Sequence, residues 1–218
     1  VFFEIDKEFH LTHDIALEKT QMLDSDNPLR RQRHYTLTQL LINSITLNGD
    51  IVECGTHRGL SAYQISNILK NLNSNKKFHI FDSFEGLSNL CPEDDIGQSE
   101  ESDKKLQKQF SYEEKFVRNN LSEFDFIKFY RGWIPNRFID VNDCEFCFVH
   151  IDVDLYNPIS DSINFFYPRL VKSGIMIFDD YGFTAQFPGA KKAVDEALKI
   201  YKPSHFISLP SGQAYLIK

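Results

Sequence analysis

Short apolar runs alternate with amphipathic stretches from residue 50 to the end of the chain, and this rhythm limits the fold more than any other feature. Runs at 50–54, 77–81, 127–130, 145–151 and 174–178 read as strands. Helical spacing fills 60–72, where Tyr63, Ile65, Ile68 and Leu69 share one face, and recurs through Phe116, over 159–170 and over 190–201. Two last strands, 205–209 and 213–217, flank Ser211-Gly212 as a hairpin. Strands separated by helices predict an α/β fold: a mostly parallel seven-stranded sheet, helices on both faces and an antiparallel C-terminal edge.

Upstream, residues 1–48 read as a helical extension. Leu37, Leu40, Leu41 and Ile45 recur at helical spacing after a break at Asp24, Ser25, Asp26, Asn27 and Pro28. Arg30, Arg31 and Arg33 read as a solvated face of that helix. The 218 residues suit a single domain. Segment 83–112, with Pro92, Gly97 and the acids Glu93, Asp94, Asp95, Glu100, Glu101 and Asp103, is too long and polar for a plain connection, so it is expected to form a substrate lid. Trp133 is expected to be a packing residue beside the ligand pocket and not a stacking platform, and the 20 phenylalanines are expected to form the core.

Charge narrows the partners. With 24 basic and 31 acidic residues the net charge is −7, which argues against nucleic acid or an anionic membrane surface. No run approaches the ~20 apolar residues of a membrane span, and the first residues lack a signal peptide's apolar stretch. A cytoplasmic protein is expected, and a homo-oligomer stays open. Cys144 and Cys147 form a C-x-x-C pair, but Cys54 and Cys91 supply no second one. Three residues apart on a strand, the pair points to opposite faces, so buried thiols in a reducing compartment are expected rather than a metal or redox site.

Ligands of open α/β sheets bind beyond the carboxyl ends of the strands, and four of the five central strand ends here carry acids. The first ends in Glu53-Cys54-Gly55-Thr56-His57-Arg58-Gly59-Leu60-Ser61, the second in Asp82-Ser83-Phe84-Glu85-Gly86, the third in Arg131-Gly132-Trp133. Asp152-Val153-Asp154 and Asp179-Asp180-Tyr181 complete the set. Gly55-x-x-x-Gly59 is not the dinucleotide fingerprint, and Glu53 would repel a pyrophosphate while suiting a cation. Asp82 is placed to accept two hydrogen bonds from a ribose diol. S-adenosylmethionine, with a ribose diol and a sulfonium, fits better than a nicotinamide dinucleotide. Asp152, Asp154, Asp179 and Asp180 would repel one another without a cation, and a hard ion such as Mg²⁺ suits them. The bland alternative is that Asp180 caps a turn and Asp154 caps the helix near Asn157-Pro158.

These segments together carry a resemblance. The run Gly49-Asp50-Ile51-Val52-Glu53-Cys54-Gly55 with Arg58-Gly59, the run Asp82-Ser83-Phe84-Glu85-Gly86-Leu87, Gly132-Trp133, Asp152-Val153-Asp154-Leu155-Tyr156 and Asp179-Asp180-Tyr181 resemble the macrocin O-methyltransferase (TylF-like) family over about residues 20–200. The resemblance implies a Rossmann-like class I methyltransferase fold that uses S-adenosylmethionine and Mg²⁺ to methylate a sugar hydroxyl on a natural-product glycoside or surface polysaccharide. It implies cofactor contacts from Glu53, Gly55, Ser61 and Asp82, with Cys54, Thr56, Arg58, Ser83, Phe84, Gly132, Trp133 and Asp152 completing that surface. Asp152, Asp179 and Asp180 would hold the metal, and Thr20 and Met22 would approach the cofactor.

In the reaction so implied, the acceptor presents vicinal hydroxyls and Asp152 takes the proton, with His57 and His150 as other acceptors near by in sequence. Four alternatives remain: a catechol-type O-methyltransferase on a small diol, a metal-independent methyltransferase, a nicotinamide-dependent oxidoreductase, and a carbohydrate-binding module without catalysis. The chain has His57-Arg58-Gly59-Leu60 where the family usually has Trp-Arg-Gly-Gly, and Asp152-Val153-Asp154 where it usually has Asp-Gly-Asp.

Overall fold

A computed structural model describes residues 2–218. Helices α1 (Phe2–Ile5), α2 (Lys7–Lys19) and α3 (Pro28–Ser44) precede β1 (Asp50–Cys54), α4 (Leu60–Asn71) and β2 (Phe78–Asp82). Then come α5 (Glu100–Gln109), α6 (Glu114–Asn120), β3 (Ile127–Arg131), β4 (Phe146–Ile151) and α7 (Tyr156–Arg169). The chain closes with β5 (Leu170–Phe178), α8 (Pro188–Tyr201), β6 (His205–Ser208) and β7 (Ala214–Ile217). The sheet order is β3-β2-β1-β4-β5-β7-β6, with β7 antiparallel to both neighbours and the other pairings parallel.

The order reverses between β1 and β4, which creates a crevice at the carboxyl ends of the strands. Register makes that crevice level. Cys54 pairs with Phe81 on one side and Ile151 on the other, and Ile151 pairs with Phe178. The residues that follow, Gly55, Asp82, Asp152 and Asp179, therefore emerge in one row.

Alternation along the strands feeds two cores. Ile51 and Phe148 face α2, α3 and α4 through Leu17, Leu37, Leu41 and Ile65. Val52, Phe81 and Phe146 face α7 and α8, where rings of Phe81, Phe138, Phe146 and Phe166 meet edge to face at 4.7–5.1 Å. Trp133 is 37% exposed, more open than a packing residue would be. β5 is also longer than the apolar run suggested. It begins directly after α7, because Leu170 pairs with Phe146 before the ladder slips and resumes at Phe148–Ile175.

The acidic segment after β2 is anchored at its middle. Asp94, in a short 3₁₀ turn, is 3% exposed. Its carboxylate accepts from the backbone N–H of Tyr156 at 2.8 Å and of Cys91 at 3.1 Å, and it lies against Gly189. All four thiols are free. Cys144 precedes β4 instead of lying within it, so the expected opposite-face geometry does not apply to the pair. Among the described residues no helix is long and apolar enough to cross a membrane.

Candidate active site

A cavity of about 350 Å³ opens above the row of strand ends. Gly55, Thr56, Ser61, Asp82, Ser83, Gly132, Trp133, Asp152, Asp179 and Asp180 line it. Glu53, Cys54, Arg58 and Phe84 do not. Strand alternation explains the first two. Cys54 points into the α7/α8 core, and Glu53 is fully buried, where His150 Nδ1 meets its Oε1 at 2.9 Å. Arg58 turns outward: its Nε donates to the carbonyl of Thr20 at 3.2 Å and its guanidinium covers the Tyr112 ring. Phe84 packs in the core, its backbone N–H donating to Asp82. Thr20 is buried beneath that contact, while Met22 reaches the cavity wall.

Asp82 organises both turns. One carboxylate oxygen accepts from the N–H groups of Thr56 at 2.7 Å and His57 at 3.3 Å, and the other accepts from Phe84 at 2.7 Å. Burial raises its pKa, against the pull of these donors. Each carboxylate oxygen has two lone pairs, so three of four sites are taken and one, on the oxygen that faces Phe84 N–H, remains for a ligand, not the two expected for a diol. Gly55 is needed where the turn meets the end of β4. Its φ is +81°, and a Cβ there would sit 1.9 Å from the carbonyl oxygen of Asp152.

The expected metal triad is divided. Asp152 and Asp180 gather with Asp154, each able to present an oxygen within 4.8 Å of the others. Asp179 turns aside, accepting from Gln213 Nε2 at 2.6 Å and pairing with Arg33. It also groups with Asp152 and His150, whose Nε2 lies 3.8 Å from Asp179 Oδ1. Burial and Asp152 push Asp154 up to about 8, and burial, Asp154 and Asp152 raise Asp180 well above the carboxylate range. Buried Asp180 Oδ2 has no hydrogen-bond partner. Three clustered oxygen donors, one unpartnered, fit a hard divalent cation. The capping alternative does not hold. The N-cap of α7 is Leu155, which offers no side-chain cap, and the first N–H of the helix goes to Asp94; the Asp180 side chain bonds Arg33 instead of a turn.

Helix α3 supplies what the sequence reading missed. Arg30, Arg33 and His34 line the cavity, so the arginine run is not merely a solvated face; only Arg31 points away, to Asp14 and Asp26. Arg33 Nη2 reaches Asp180 Oδ1 at 3.3 Å as well as Asp179. The signal was present. Positions 30, 34, 37 and 41 follow i, i+4, i+7 and i+11, so Arg30 and His34 share the stripe of Leu37 and Leu41. His57 also lines the cavity, its ring edge-on to Phe110 and Tyr112, and burial drops its pKa to about 4. His150 lies behind the wall.

Toward the amino ends of β1, β2 and β4, on the far side of the sheet from the cavity mouth, Asp50, His79 and Cys144 converge. There His79 already contacts the Tyr130 hydroxyl at 2.9 Å and Asp50 at 3.2 Å.

This architecture is the Rossmann-like class I methyltransferase fold. The chain aligns with the structure of the O-methyltransferase NovP at a TM-score of 0.73 and 24% identity, covering 86% of this chain and 80% of that one. It aligns with the calicheamicin methyltransferase CalS11 at 0.74 and 16%, covering 94% and 91%. The Macrocin-O-methyltransferase (TylF) family model matches residues 29–211, and the chain belongs to that family. Among curated relatives, a demethyldecarbamoylnovobiocin O-methyltransferase of Streptomyces niveus is 26% identical over 153 residues, 68% of this chain and 57% of that protein. An 8-demethyl-8-(2,3-dimethoxy-alpha-L-rhamnosyl)-tetracenomycin-C 4'-O-methyltransferase of Streptomyces olivaceus is 25% identical over 142 residues, 63% and 54%. The chain thus spans little more than half the length of either relative.

Proposed function

We propose that this chain is an S-adenosylmethionine- and Mg²⁺-dependent O-methyltransferase that acts on a sugar hydroxyl flanked by a second one. The observation that carries the reading is the meeting, in one cavity, of the Asp82-braced turns with the Asp152, Asp154 and Asp180 carboxylates. Family membership and the rhamnosyl group in the name of the Streptomyces olivaceus relative support the acceptor class.

When bound, the cofactor supplies an electrophilic methyl group and the cation supplies a Lewis-acid template for hydroxyl oxygens. The protein's part is mainly alignment, since methyl displacement is in line. Asp82 would accept from the ribose diol, and the exposed ring of Trp133 offers a face for the nucleobase. Asp152, Asp154 and Asp180 would hold the cation, and Asp152 would take the acceptor's proton. His57 is neutral at pH 7 and, with a pKa near 4, a weak base, so it serves as a wall. Leu87, Ser88, Gln109 and Phe110 from segment 83–112 line the cavity, which supports a lid role for that segment, closing the site against water. Four free thiols support a reducing, cytoplasmic compartment.

The test is methyl transfer to a panel of sugars with vicinal diols, free and glycosidic, beside a catechol, followed by release of S-adenosylhomocysteine and by product mass. Turnover on at least one sugar is expected, lost with EDTA or in Asp152→Asn. Turnover on the catechol alone, or turnover indifferent to EDTA, would overturn the acceptor class or the metal respectively.

A further inference from the structure

The ionised groups of the cavity are paired or clustered, with one exception. Asp82 is braced by backbone N–H groups, Arg33 is committed to Asp179 and Asp180, and Asp152, Asp154 and Asp180 form the oxygen cluster. Arg30 has no ion-pair partner among the described residues. Its Nη1 donates to the carbonyl of Ser25 at 2.6 Å, which leaves the rest of its donor fork unassigned. Arg31, Arg33, Arg58, Arg118, Arg131 and Arg137 each pair with a carboxylate. Arg169, the other arginine without one, is satisfied on the surface by Asn142 and the Phe165 carbonyl and ring.

Keeping a part-buried guanidinium next to a second one, with no carboxylate in ion-pair contact, is unfavourable unless a ligand completes it. Burial and Arg33 both pull the Arg30 pKa down, so the cost is felt at that side chain. Its position indicates which ligand group does so. Arg30, His57 and Asp152 line the same cavity, and Asp152 is the foremost carboxylate acting on Arg30. Arg30 therefore looks onto the crevice between the ends of β1 and β4, the place where such sheets hold their cofactor. An α-amino acid group needs a cation for its carboxylate and an acid for its ammonium close together. Arg30 and Asp152 provide that pair.

We propose that Arg30 binds the carboxylate of the cofactor's amino-acid tail, through the donors that its contact with Ser25 leaves over. This rests on S-adenosylmethionine being the cofactor. Arg30 is a binding residue whose effect on turnover comes through cofactor affinity.

The experiment is calorimetric titration of wild type, Arg30→Met and Arg30→Lys with two ligands. One is S-adenosylhomocysteine; the other is 5′-methylthioadenosine, which keeps the nucleoside and thioether but lacks the tail. Arg30→Met is expected to weaken S-adenosylhomocysteine by roughly 10- to 100-fold, the range for a lost charge-assisted pair. Arg30→Lys should recover part of that loss, and 5′-methylthioadenosine should shift less than about twofold. Unchanged S-adenosylhomocysteine affinity overturns the proposal. Equal weakening of both ligands overturns it too, because the effect then comes from packing. A wild type that binds neither ligand signals a different failure, that of the cofactor itself.

Discussion

Replacing Gly55 by alanine tests how closely the first turn must approach the end of β4. The new Cβ would lie 1.9 Å from the carbonyl oxygen of Asp152 and 3.0 Å from Val153 Cγ1. A relaxed carbon–oxygen contact is about 3.3 Å, so one backbone must yield by about 1.4 Å. Neither is free to do so. Gly55 N–H donates to Phe81 at 2.8 Å and Asp152 N–H donates to Cys54 at 2.9 Å, which locks the turn to β2 and β4. Alanine at a φ of +81° costs about 1–2 kcal/mol, and overpacking adds about 1–3 kcal/mol, so the expected loss is about 2–5 kcal/mol. The same movement displaces Asp152, and a shift of about 1 Å in a reacting group can cost about 100-fold in rate. Urea unfolding and a single-turnover methyl-transfer assay would read both. Stability within about 0.5 kcal/mol and a rate within twofold of wild type would refute the reasoning.

Three further outcomes follow from the same geometry. Asp94→Ala removes the acceptor for the Tyr156 and Cys91 N–H groups; it should cost about 1–3 kcal/mol and speed proteolytic cleavage near Gly97, and an unchanged cleavage rate would contradict the anchoring. His13 is fully buried on α2, with Gln64 Nε2 against its Nδ1, and burial and then Arg31 lower its pKa to about 4. The folded state thus favours the neutral ring, so its contribution is complete above pH 6.5 and is lost as pH falls from there toward 4. Between pH 7.5 and 5, His13→Gln should lose on the order of 2 kcal/mol less stability in urea than wild type; parallel losses would remove His13 as the cause. Arg33→Gln withdraws the positive charge from Asp179 and Asp180, so Mn²⁺, read by calorimetry, should bind at least about tenfold more tightly. Equal affinity would mean that Arg33 does not compete with the cation.

The row of strand ends was legible because apolar runs and amphipathic stretches separate cleanly, and an acid directly after an apolar run marks the place where a strand leaves the core. Asp82, Asp152, Asp179 and Asp180 line the cavity for that reason. Which oxygens meet was not legible. Asp154 joins Asp152 and Asp180 because residue 154 adopts a φ of +59°, whereas Gln213, from the far end of the chain, draws Asp179 aside. Motif adjacency misled at Glu53 and Cys54, which sit on the last strand positions and point into the layers behind the site. Arg30, Arg33 and His34 were obscured by the mixture of charged and apolar residues on α3, although the i, i+4, i+7 stripe places Arg30 and His34 on its inward face. The burial of Asp94 depends on the distant N-termini of α7 and α8 and leaves no local signature.

The most direct measurement is calorimetric titration of S-adenosylmethionine followed by Mg²⁺, on wild type and on Asp180→Asn. Both proteins are expected to bind the cofactor with similar affinity, and the variant should lose at least about tenfold in Mg²⁺ affinity as one of three charged oxygen ligands disappears. Cofactor binding with no Mg²⁺ signal in wild type, or equal Mg²⁺ binding in the two proteins, would contradict the carboxylate cluster as a cation site. Absence of cofactor binding in wild type would contradict the methyltransferase reading as a whole.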